Sequence, residues 1–188
     1  MCLVGVIALA ACGGNGGEPE SSAAAPAASS AAPAPSPGLI PAETIASCAG
    51  FTADKAAVLL GLPPDSVKDS SENVGSARHC TFSNPKDRSA GIAFTLSARD
   101  SVKRAEASLE SERQAMGQAQ RAIDGVTGKS SKAPASEDVS GIGDGAFYSS
   151  MNGTIMLRVG NVLAQVSAPQ DMGLKKQVAQ EVARGLRP

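Results

Sequence analysis

Between Gly13 and Pro41 the chain reads GGNGGEPESSAAAPAASSAAPAPSPGLIP, and this tract decides how much of the molecule can fold. It has no apolar period, and its only charges are Glu18 and Glu20. A segment with nothing to bury cannot offset the entropy of ordering it. Prolines at 26, 33, 35, 37 and 41 oppose the helix that so much alanine would otherwise favour. They favour extended, polyproline-like geometry instead. The tract, taken as residues 12–41, reads as a spacer. Any core must come from residues 42–188, roughly the size of one domain.

Within that span the charges nearly cancel. The chain holds 17 Lys and Arg against 18 Asp and Glu, and two of the acids lie in the spacer, which leaves the domain close to neutral. There is no Trp, one Tyr and four Phe, so platforms for stacking bases or sugars are scarce. Nucleic acid is therefore not expected as a partner. The core must rest on Val, Leu, Ile and Ala.

Ahead of the spacer, Leu3 to Ala11 reads LVGVIALAA. This is too short to span a bilayer, which takes roughly 20 apolar residues, and suits the apolar region of a secretory signal over residues 1–11. Met1 to Leu3 lack the Lys or Arg that usually opens such a signal. Leu9-Ala10-Ala11-Cys12 resembles the lipobox of bacterial lipoproteins. The resemblance implies cleavage before Cys12, diacylglycerol on its sulfur and acylation of the new amino terminus. The membrane is then a partner, and the domain sits in the cell envelope. Gly13 after the cysteine implies the outer membrane, facing the periplasm, in a Gram-negative cell. Export leaves Cys48 and Cys80 as an even pair in an oxidising compartment, where they are expected to form a disulfide. The rival reading, a redox or nucleophilic pair, lacks Cys-x-x-Cys spacing.

Local patterns order the elements. A short helical turn at 42–48 precedes a helix that Thr52 caps and Gly61 ends. Runs 77–83 and 90–98 alternate and read as a hairpin with one buried face. A helix runs from Asp100 or Ser101 to about residue 121, with Val102, Leu109, Met116 and Ile123 recurring every seven residues. Residues 124–138 read as a loop. GAFYSS, TIMLRV and VLAQVS are three strands joined at Met151-Asn152-Gly153 and Gly160-Asn161. Leu174, Val178, Val182 and Leu186 make one stripe on a closing helix. The expected fold is one α+β domain: an antiparallel, curved sheet of about five strands with helices packed on one face. The element order also leaves an internal repeat open.

Cys48 leading into a helix ending Leu59-Leu60-Gly61, then Cys80-Thr81-Phe82, VSGIGDGAFY at 139–148, Val159-Gly160-Asn161 and a closing helix form a wider pattern. It resembles envelope lipoproteins related to the extracellular sensor domain of mycobacterial serine/threonine kinases. The resemblance implies a disulfide-bonded α+β domain with a ligand-sensing role, and it brings no catalytic residue.

Candidate chemistry is sparse. His79 is the chain's one histidine, but adjacent strand residues point to opposite faces, so it diverges from Cys80. One histidine does not furnish a zinc site. Gly141, Gly143, Asp144 and Gly145 form a candidate binding loop, though the glycines lack nucleotide-loop spacing and lead into a strand rather than a helix. A cation held by Asp144 with Glu137 and Asp138 is a weaker reading, since calcium-loop spacing is missing. Catalytic residues, metal and cofactor are all expected to be none. The expected function is a non-enzymatic, membrane-anchored envelope lipoprotein that binds a partner or ligand. The alternative is an inhibitor or immunity lipoprotein that blocks an envelope-acting enzyme.

Overall fold

The computed structural model describes residues 38–131, 133–169 and 171–187, without the side chain of Arg88. The expected signal segment, Cys12 and the expected spacer up to residue 37 lie outside the described residues.

Helix caps act where the sequence sets them. Helix α1 spans Ala42–Ala46, and a tight turn follows at Cys48–Gly50. Thr52 Oγ1 accepts the Lys55 N–H at 3.3 Å to open α2 (Ala53–Leu60), and Gly61 closes it at φ +64°. Ser101 Oγ accepts the Arg104 N–H at 3.2 Å to open α3 (Val102–Thr127). Asp171 accepts from Gly173 and Leu174 to open α4 (Met172–Leu186). Each side chain satisfies a donor that the first helical turn leaves unpaired.

The strands are β1 (Lys68–Asp69), β2 (Glu72–Val74), β3 (Ala77–Asn84), β4 (Asp87–Ala98), β5 (Ser136–Asp138), β6 (Gly145–Ser149), β7 (Thr154–Val159) and β8 (Val162–Ser167). They form one antiparallel sheet in the order β1-β3-β4-β8-β7-β6-β5, with β2 also on β3. The five expected strands are all present. The expectation of about five is corrected to eight by β1, β2 and β5. These are two or three residues long and carry almost no buried side chain, so no apolar alternation marks them. They form because β3 and β6 offer open edges.

The expectation of helices on one face is also corrected. Cys80, Phe82, Ile92, Phe94 and Leu96 join Ile155, Leu157, Val162, Ala164 and Val166 under α2 and α4, with Val178, Val182 and Leu186 of α4 among them. Phe147 and Leu163 point the other way and pack with Ala105 and Leu109 of α3. Strands β6 to β8 are thus buried on both faces, which is why GAF and VLA read as runs rather than alternations. A two-fold relating the antiparallel neighbours β4 and β8 would stand perpendicular to the sheet and keep equivalent helices on one face. Helices on opposite faces therefore argue against an internal repeat.

One cross-strand row shows what α3 leaves open. It runs Glu72, His79, Thr95, Gln165, Met156, Phe147, Asp138. Helix α3 covers the Met156–Phe147 end. The β3–β4 end, with its small polar side chains, stays partly open to solvent.

Candidate functional site

At one end of the sheet four segments meet: the glycine loop before β6, the β7–β8 turn, the start of α3 and the end of α4. Asp144 joins them. Its Oδ2 accepts the Gly160 N–H at 2.7 Å and faces Arg158 Nη1 at 3.3 Å, while Oδ1 lies 3.8 Å from Arg187 Nη2. Its own N–H donates to the Arg158 carbonyl at 2.7 Å. Arg158 Nη1 also donates to the Gly160 carbonyl at 3.2 Å, and Arg187 Nη2 to the Gly143 carbonyl at 3.1 Å. A carboxylate that takes a backbone donor and two guanidinium partners ties the loop, the turn and α4 together.

The glycines divide by role. Gly143 has φ +59°, and a Cβ there would collide with the Arg158 carbonyl oxygen. Gly145 opens β6 and faces Leu109 across a gap that a Cβ would narrow to 3.6 Å. Gly141 has φ +76° with nothing near it.

Two open grooves flank this loop. One, of about 490 Å³, is lined by Lys103, Glu106, Leu109, Glu110, Gly145 and Arg158, with Asp144 at its edge. The other, of about 340 Å³, lies between Gly141, Gly143 and the Gln180–Arg187 face of α4. The structure thus brings Gly143, Asp144 and Gly145 to a shared surface with Arg158 and Arg187. Sequence reasoning missed both arginines, because nothing local marks partners 14 and 43 positions from Asp144.

The cation reading fails on the partners. Asp138 pairs with Arg113 at 2.7 Å, and no three metal-type ligands gather among the described residues. Cys48 and Cys80 form a disulfide with Cα atoms 5.9 Å apart, so Cys80 is not a free nucleophile. His79 is exposed on the opposite face of β3. Asp87, on the β3–β4 turn at the far end of the sheet, is held below the usual aspartate range, chiefly by the Ser89 hydroxyl and then by the Ser89 N–H.

A family model described as "Protein of unknown function (DUF3558)" matches residues 7–154, well over half of the chain. The chain belongs to the DUF3558 family. No curated protein and no solved structure matches it. The DUF3558 match takes in Cys12, both disulfide cysteines and the glycine loop. It stops before Arg158 and Arg187, the side chains that hold the loop in place.

Proposed function

We propose that this DUF3558 protein is a cell-envelope lipoprotein, anchored through Cys12, whose domain binds a partner or ligand without turning it over. The observation that carries the reading is the buried Cys48–Cys80 disulfide, with Cys48 3% and Cys80 0% exposed. Such a bond belongs to exported proteins. It agrees with the Leu9–Cys12 lipobox and with the likeness to kinase-sensor-related lipoproteins. The spacer would hold the domain off the membrane, with the periplasm as its compartment in a Gram-negative cell. Around the glycine loop the side chains are tied into structural contacts and the grooves are open. This favours a surface for association over an enclosed reaction chamber. The same open surface is compatible with the inhibitor or immunity role.

The anchor is tested in a bacterial envelope by labelled palmitate incorporation and fractionation. Wild-type protein should take up label and pellet with membranes. Cys12→Ala should lose the label and move to the soluble fraction. A Cys12→Ala variant that stayed with the membranes would overturn the anchoring.

A further inference from the structure

Arg99, just after β4, differs from the other arginines at this end of the molecule. Arg104, Arg113, Arg158, Arg184 and Arg187 each face a carboxylate. Arg99 is half-buried and faces none among the described residues. Neutral oxygens hold it instead. Nε donates to Ser108 Oγ at 3.2 Å, and Nη1 donates to Ser97 Oγ at 3.2 Å and to the Ala98 carbonyl at 3.3 Å. The backbone is fixed as well: its N–H donates to the Asn161 carbonyl at 2.8 Å, and its carbonyl accepts from Asn161 Nδ2 at 2.8 Å. Asn161 is itself clamped, its Oδ1 accepting the Ile40 N–H at 2.8 Å. Nη2 keeps two N–H groups without a partner among the described residues.

This guanidinium lines an open groove of about 490 Å³ along α3, with Arg104, Ala107, Ser108, Ser111 and Glu112 of that helix. We propose that the groove binds a phosphate group, with Arg99 as the fixed donor and Arg104 and Ser111 as its companions. Three points support this. A cation held in advance by neutral acceptors keeps its full charge for a ligand and needs little rearrangement on binding. Arg104 is paired with Asp100 at 2.7 Å, but both side chains are exposed neighbours on one helical turn. Such pairs are weak, so Arg104 can turn to a ligand at small cost.

The third point separates phosphate from carboxylate. A carboxylate has only two oxygens and relies on two parallel N–H bonds from adjacent nitrogens; a phosphate can take the same fork but has further oxygens for separate donors. In Arg99, Nε and Nη1 are already engaged, so that fork is not open. What remains is one nitrogen of Arg99, a second arginine and a hydroxyl. Separate donors of this kind suit the several acceptor oxygens of a tetrahedral anion. Glu112 lines the groove and Asp100 pairs with Arg104, so Arg99 is the cation there that faces no carboxylate among the described residues.

The phosphate could be borne by a free solute or by a phospholipid headgroup. The groove lies beside the point where the chain passes from residue 38 into the domain. The headgroup source rests on the proposed Cys12 anchor, whereas the phosphate site itself does not. Full-length unlipidated protein carrying Cys12→Ser separates the two. It would be titrated at constant ionic strength with inorganic phosphate, and in parallel with phosphatidylglycerol or phosphatidylcholine vesicles, following the Arg99 Nε–H NMR resonance. A saturable shift with phosphate, with phosphatidylglycerol but not phosphatidylcholine vesicles, or with both supports the site and names the source. Arg99→Gln should weaken binding by about tenfold or more. Because Arg99 also joins β4 to α3, the exposed variants Arg104→Gln and Ser111→Ala are the independent check. Each should weaken binding roughly threefold or more with the fold intact. No saturable shift with any of these probes, or unchanged affinity in Arg104→Gln and Ser111→Ala, would overturn the proposal.

Discussion

Gly143 and Asp144 are adjacent in the chain, and their neighbours decide what each can be. Gly141, Gly143 and Gly145 look equivalent in sequence. Only Gly143 combines a positive φ with backbone packed where a Cβ would go. Gly143→Ala should therefore cost about 2–4 kcal/mol, combining left-handed strain with displacement of the Arg158 carbonyl. Gly141→Ala carries only the conformational penalty and should cost about 1 kcal/mol. Urea denaturation midpoints of the two variants test this; equal losses would mean that the close approach is not what demands glycine at 143. Asp144 was legible as a residue of interest but not as a structural clasp. Its partners Gly160, Arg158 and Arg187 come from other elements, and no short-range pattern encodes them.

The helices show the same division. The stripe Leu174, Val178, Val182, Leu186 was legible because burial on one face imposes its period on the chain. Gly185, inside that helix, was not legible as a contact. On an open helix, alanine in place of glycine stabilises by about 1 kcal/mol. Here a Cβ at 185 would land on the Ala49 carbonyl oxygen. Gly185→Ala should instead destabilise by about 2–4 kcal/mol, as overpacked cores do. Thermal unfolding gives the sign directly, and a raised midpoint would refute the close approach. Helix α3 was expected to stop near residue 121 and runs to Thr127. Its last turns bury nothing, with Val126 88% exposed, so the apolar period that marks its first half fades before the helix does. The short strands β1, β2 and β5 lacked even that signal.

Across the whole molecule, one covalent bond links the segment before α2 to strand β3 of the sheet. Cys48 and Cys80 are 32 residues apart in sequence, and the turn at Cys48–Gly50 that the bond holds has positive φ at Cys48 (+54°) and Ala49 (+55°). Phe51, one residue on, packs against Phe82 and Phe94, tilted to the first and edge-on to the second, at 5.1 and 5.3 Å between centroids. A loop of this length is worth about 3–4 kcal/mol in the chain-entropy account. The double variant Cys48→Ser/Cys80→Ser should lose that much stability, and reduced wild-type protein should unfold near the same denaturant concentration as the variant. Equal stability of oxidised and reduced wild type would show that the bond does not hold the fold. By itself the sequence determined the hairpins, the helix caps, the closing-helix stripe and the cysteine pair. Each depends on turn chemistry, on the period of burial, or on which thiols are present. The tertiary structure decided that β4 meets β8, that α3 and α4 take opposite faces, and that Asp144 and Arg99 have such different partners. A strand buried on both sides has no period to say which helix covers which face. Contacts between distant segments are selected only when the whole core closes.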